Sequence, residues 1–228
     1  MGTRGPGLPV VALRWTIGVA VVSWRYLWAT LPLYRSEVRG SLDCCSPPPL
    51  PKDVSSAVLC PDEGSGPLFH RRFSVEIEQT QATVEELMAQ LTREFGNFVP
   101  HEVVGVKQGP DRELEPGDEF VVQIPGPWNG PVVVLERAPS RLRLATRPGH
   151  MEAGQIEFAA TGREGRLTFS IETWARASTR SVHVLFSHLR LAKEIQLNMW
   201  VRFCRAAARR SGGRIVDGVH IITHVSSD

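Results

Sequence analysis

The sequence predicts an α+β fold: an antiparallel sheet of about seven strands and a long C-terminal helix, with an N-terminal helical extension. Three observations predict it. Between Arg72 and Ala175, short stretches of alternating apolar and polar residues are separated by turn chemistry, with connections too short for helical crossovers. One amphipathic helix, from Thr83 to Phe95, interrupts them near their start. A stretch from Thr179 to Arg210, free of Gly and Pro, then repeats apolar residues at helical spacing.

At the N-terminus, Val10 to Tyr34 is rich in apolar and aromatic residues but carries Arg14 and Arg25. A charge near the centre of a membrane span costs about 2.5–3.5 kcal/mol, and the run between the two arginines is too short to cross a bilayer. On a helical wheel both arginines share a face with Gly18, Val21 and Ala29. An amphipathic helix over residues 1–39 is expected, either packed on the main domain or lying on a membrane surface through residues 10–34. Residues 40–67, rich in Pro, Ser and Gly and without periodicity, read as a linker. The main domain then occupies residues 68–228.

In that domain "RFSVEIE" alternates Phe73, Val75 and Ile77 with polar neighbours, the mark of a half-buried strand. Thr83 and Glu86 form a capping box ahead of a stripe of Val84, Leu87, Met88, Leu91 and Phe95. Six further strands follow: "EVVGVKQ", "EFVVQIP", "VVVLER", "RLRLATR", the stretch after "RPGHMEAG", and "RLTFSIETWA". The turns between them include "EPGD", "PWNGP", "APS" and "TGREG". The long helix carries Val182, Phe186, Leu189, Ile195, Met199, Phe203 and Ala207 on its apolar stripe, and "SGG" ends it. "RIVDGVHIITHV" reads as a final short strand or an extended tail on the domain.

Composition excludes several classes. Lys+Arg 26 against Asp+Glu 24 leaves a net charge of +2, so neither nucleic acid nor an acidic substrate is indicated. Cys44, Cys45, Cys60 and Cys204 show no Cys-x-x-Cys spacing and no disulfide framework, which favours a reducing, cytoplasmic setting. His183 and His188 point roughly 140° apart on a helix, and His220 and His224 stand roughly 13 Å apart on a strand. No metal site and no cofactor are expected. Phosphate-loop, dinucleotide and nucleophile-elbow motifs are absent.

"PGPWNGP", "LATRPGHMEAGQIEF" and "SIETWARAS" together resemble an uncharacterised bacterial family, with plant relatives, placed in the START-like (helix-grip) superfamily. Its Gly-His-x-Glu-x-Gly element is matched by Gly149, His150, Glu152 and Gly154, and the resemblance runs from about Gly66 to Val225. It implies a sheet curled around the long helix, with room between them for a ligand, and no established reaction.

Alternation places His150 and Glu152 on the face of Ile156 and Phe158, at the mouth of any such space. They read either as a polar latch or acid–base pair, or as a turn whose side chains serve the loop backbone. Trp128, at the tip of its turn, covers the sheet edge or gates a cavity. Phe120, Val122, Phe158, Phe169, Ile171 and Trp200 are the candidate lining, and first of all a core. The expectation is a module binding a small apolar or lipid-like ligand. The alternatives are a cyclase- or hydratase-like enzyme using His150 and Glu152, and a membrane-surface adaptor.

Overall fold

The computed structural model describes residues 32–40, 46–52, 58–99, 105–107, 112–123, 129–180 and 190–226. Its elements are β1 (Leu33–Gly40), β2 (Ser65–Glu78), α1 (Val84–Arg93), β3 (Gly105–Lys107), β4 (Glu119–Gln123), β5 (Asn129–Ala138) and β6 (Arg141–Thr146). They continue with β7 (Glu152–Arg163), β8 (Arg166–Ala177), α2 (Arg190–Arg210), β9 (Arg214–Ile215) and β10 (Val219–Ser226).

The strands form one unclosed sheet in the order β1-β10-β2-β8-β7-β6-β5-β4-β3, with β9 also pairing on β2. From β3 to β8 the chain meanders back until β8 lies antiparallel to β2, in register from Phe69↔Ala175 to Glu78↔Arg166. Helix α2 follows, and the chain returns through β9 and β10 to the other side of β2. The seven strands expected from alternation are β2 to β8. The sheet has ten, because β1, β9 and β10 extend it beyond β2. Leu33–Gly40, read from sequence as the end of a helix, pairs parallel to β10, with Leu33↔Val219 and Gly40↔Ser226. A partner almost two hundred residues away overrides the local helical reading. The long helix is described over Arg190–Arg210, while residues 181–189 lie outside the described residues. The stretch after it, expected as one short strand or an extended tail, forms two strands, β9 and β10.

One face of the sheet buries Phe73, Val75 and Ile77 of β2, Leu167, Phe169 and Ile171 of β8, Phe158 of β7 and Leu142 of β6 against both helices. Helix α1 starts as its capping box requires: the Thr83 hydroxyl accepts from the Glu86 N–H at 3.2 Å, and the Glu86 carboxylate accepts from the Thr83 N–H at 2.8 Å. It buries Leu87, Met88 and Leu91. From α2, Phe203 enters the centre of the core. Its ring centroid lies 4.9 Å from Phe158, 5.4 Å from Phe98, 5.6 Å from Phe95 and 6.1 Å from Phe169. Cys204 beside it is fully buried, and burial pushes its thiol upward, as fits a small core hydrophobe.

The opposite face of the sheet is partly covered by the stretch read as a linker. Val58 packs with Val133, Leu135 and Ala145, flanked by Leu50 and Cys60. The carbonyls of Pro48 and Pro49 accept from Gln155 Nε2 at 3.0 Å and Arg143 Nη1 at 3.1 Å. Outside helix and strand these carbonyls have no ladder bond, so the sheet's outward amide and guanidinium can take them.

Because Phe203 meets rings from the sheet and from the turn after α1, Phe203→Ala is expected to lower stability by about 3–5 kcal/mol in equilibrium urea unfolding. A loss below ~1 kcal/mol contradicts its place at the centre of the core.

Candidate functional site

The inner face of the sheet changes character along its strands. One row across it, Phe73–Ile171–Phe158–Leu142, is apolar and fully buried. Two residues further along, the row becomes Arg71–Thr173–Ile156–Leu144, and the next is Phe69–Ala175–Gly154. The last is Ala177–Glu152. Along these rows Thr173, Ala175 and Gly154 stand among Phe69, Ile156 and Leu144, and two charged residues, Arg71 and Glu152, enter.

Those charges are joined through the helix. Arg71 Nη1 donates to Gln196 Oε1 at 2.7 Å, and Gln196 Nε2 donates to both Glu152 carboxylate oxygens, at 2.9 and 3.1 Å. The Arg71 guanidinium also sits over the Phe69 ring at 4.7 Å. Burial pulls the pKa of Arg71 down, and the charges of Glu152 and Glu37 oppose that. A guanidinium remains charged under such a shift, so the site holds a buried cation linked to a carboxylate by one neutral amide.

The Gly-His-x-Glu-x-Gly element builds this corner. Gly149 takes φ +97°, which suits glycine, and turns the chain back toward the sheet. The His150 N–H donates to the Arg147 carbonyl at 3.0 Å, and the Glu152 N–H donates to His150 Nδ1 at 2.8 Å. Nδ1 also lies 3.0 Å from the Glu152 carbonyl oxygen, and burial lowers the imidazole pKa. The ring packs on Gly130, where a Cβ would stand 3.1 Å from Nε2. At Gly154 a Cβ would overlap the carbonyl oxygen of Trp174 on β8. The Gly154 N–H donates to Thr146 Oγ1 at 2.9 Å. Histidine therefore braces the turn, while glutamate reaches across to the helix.

The other candidates divide. Phe120, Phe158, Phe169 and Ile171 are buried in the core, with the Phe95 ring 5.3 Å from Phe120 and 5.4 Å from Phe158. Val122 and Trp200 are only partly buried, as are Ile156, Leu197 and Met199. Trp128 lies outside the described residues. Arg71 and Gln196 were missed from sequence, although each left a trace. Arg71 occupies an inward position of the Phe69–Phe73 alternation, and Gln196 lies on the stripe of Trp200, Phe203 and Ala207, one turn before Trp200.

A second polar cluster lies on the outward face. His70 Nε2 donates to Glu172 Oε1 at 2.5 Å, and its ring stacks between Trp174, at 5.2 Å, and His224, at 5.6 Å. The bond to His70 holds the Glu172 carboxyl below its usual range. Among the described residues no group of three His, Cys, Asp or Glu side chains could hold a metal ion. A shallow hollow of about 670 Å³ between α1 and the last turn of α2 is lined by Gln81, Glu86, Arg93, Glu94 and Arg210 among others. The charges of Arg210 and Glu94 there neutralise each other at 2.7 Å, so the hollow presents no single chemistry.

No known family profile and no curated protein matches the chain. Solved structures of similar arrangement include a START superfamily protein from Mycobacterium smegmatis, 10% identical, covering 63% of this chain and 97% of its own length with a TM-score of 0.43. A hypothetical protein from Helicobacter pylori is 12% identical, over 61% of this chain and 87% of its own, with a TM-score of 0.45. A protein from Thermobifida fusca is 17% identical, over 63% and 93%, also with a TM-score of 0.45. The described residues form one unclosed, mostly antiparallel sheet packed on one face against α1 and α2.

Two outcomes follow for this corner. Since the folded state lowers the His150 pKa, its neutral form contributes fully above the ordinary value of 6.5 and that contribution is lost as pH falls below it. His150→Asn is expected to flatten the fall in melting temperature between about pH 6.5 and 5; an unchanged slope contradicts the assignment. Gly154→Ala is expected to cost about 3 kcal/mol or more in urea unfolding, because its methyl group meets backbone of the neighbouring strand.

Proposed function

We propose that this protein is a START-like binding module that takes a small, largely apolar ligand with a polar end between the sheet and α2. The observation that carries the reading is the Arg71–Gln196–Glu152 chain, set on the inner face beside Thr173, Ala175 and Gly154. Desolvating a guanidinium and a carboxylate that meet only through an amide stabilises a core less than apolar side chains of the same volume would. A polar ligand end exchanging with Gln196 gives the arrangement a use. The partly buried Val122, Ile156, Leu197 and Trp200 offer the apolar contact beside it. Support for an acid–base pair at His150 and Glu152 is weaker, since a backbone N–H occupies Nδ1 and Gln196 occupies the carboxylate.

Native mass spectrometry of the purified chain is expected to reveal a co-purifying small molecule, and long-chain alcohols or amides are expected to displace a bound apolar dye. Gln196→Leu should weaken displacement roughly tenfold, the value of one hydrogen bond to a charged group. Absence of both a co-purified molecule and dye displacement sinks the reading.

A further inference from the structure

The Arg71–Gln196–Glu152 chain also defines the kind of polar end it can take, an inference that rests on the binding reading of this site. A guanidinium only donates hydrogen bonds and an ionised carboxylate only accepts them. A group set between the two must therefore accept on one side and donate on the other. The Gln196 carboxamide does both: Oε1 accepts from Arg71 Nη1 at 2.7 Å, and Nε2 donates to the two Glu152 oxygens at 2.9 and 3.1 Å. Arg71 is 8% exposed, whereas Gln196 and Glu152 are half-buried. The amide bridge is thus the part of the chain that solvent, and a head group arriving from it, can reach.

Charge adds a second filter. The carboxylates that act on the Arg71 guanidinium are Glu152 and Glu37. Across the sheet the registers run Glu37–Thr223–Arg71–Thr173, which puts Glu37 on the face of Arg71, two strands away on β1. Glu37 is exposed, so water and salt weaken its pull, while Glu152 stands one amide from the guanidinium. The buried cation is already balanced. A ligand carboxylate can accept from Arg71, but it offers Glu152 no donor and sets a like charge beside it. A ligand ammonium can donate to Glu152, but it offers Arg71 no acceptor and sets a like charge there.

We propose that the site selects apolar ligands that end in a neutral, carboxamide-like head and turns away carboxylates and ammonium ions, with Gln196 holding the place that this head takes. Such a head repeats the bonds of the Gln196 side chain, accepting from Arg71 and donating to Glu152, and it adds no charge to a pair already balanced. Glu152 is the residue that sets the filter, because it alone needs a donor from whatever lies between it and Arg71.

The test is displacement of Nile red, a neutral apolar dye, from the full-length chain at neutral pH by octanamide, octanoate and octylammonium, which share one tail. Octanamide is expected to displace the dye roughly tenfold better than either ion. Glu152→Gln removes the like charge and supplies a donor, so octanoate should gain roughly tenfold against octanamide in that variant, with an unchanged circular dichroism spectrum. Displacement by octanoate or octylammonium as effective as that by octanamide overturns the selectivity and leaves the binding reading standing. Displacement by none of the three brings down the binding reading and the selectivity together. An unchanged order in the folded Glu152→Gln chain overturns the role given to Glu152. The ranking in the intact chain decides the proposal if that variant does not fold.

Discussion

The packing of Phe203 against the inner face of the sheet is the contact on which the other features depend. Helices α1 and α2 together cover one face of a sheet many strands wide, and α2 meets that face at this ring. Phe158 and Phe169 from the sheet, with Phe95 and Phe98 from the turn after α1, close around this one ring. Because the aromatic volume is concentrated there, the helix is held firmly near its middle and last turns. Beyond it, Gln196 meets Arg71 and Glu152 on rows of the sheet that also carry Thr173, Ala175 and Gly154. Dense packing at one end of the fold is thus the reason polar groups can meet at the other.

The pairing of β2 with β8 supplies the second constraint. It closes the meander, brings Arg71 onto the row of Thr173 and Ile156, and places Glu152 two rows beyond. The turn from Arg147 to Glu152 must then reverse the chain in little space. Gly149 supplies the conformation, His150 holds the next peptide, and Gly154 lets β7 lie close on β8. A motif first suspected of chemistry is in large part the hardware of a tight corner, and only Glu152 extends from it to the helix.

The two faces of the sheet divide the chemistry of the molecule. Inward lie the phenylalanines and the Arg71–Gln196–Glu152 chain. Outward lie the His70–Glu172 pair, the stack of His70 on Trp174 and His224, and the proline carbonyls on Arg143 and Gln155. Alternation with period two is enough to make this separation. It also leaves Tyr34, Val38 and Ile222 exposed on the outward face of β1 and β10.

Much of this was legible in the residues alone, because local signals report local structure. The capping box at Thr83, the period-two runs of β2 to β8 and the apolar stripe of α2 each follow from neighbours within a few positions. So do the core places of Phe158, Phe169 and Ile171. What required tertiary structure were contacts between distant parts of the chain. β1 is a strand because β10 lies beside it, the Pro-rich stretch packs because an amide and a guanidinium of the sheet face its carbonyls, and Arg71 is tied to Glu152 because Gln196 lies between them. An alternating strand shows which side each residue faces, but not which strand will stand next to it; that choice belongs to the closing of the whole sheet on its helix.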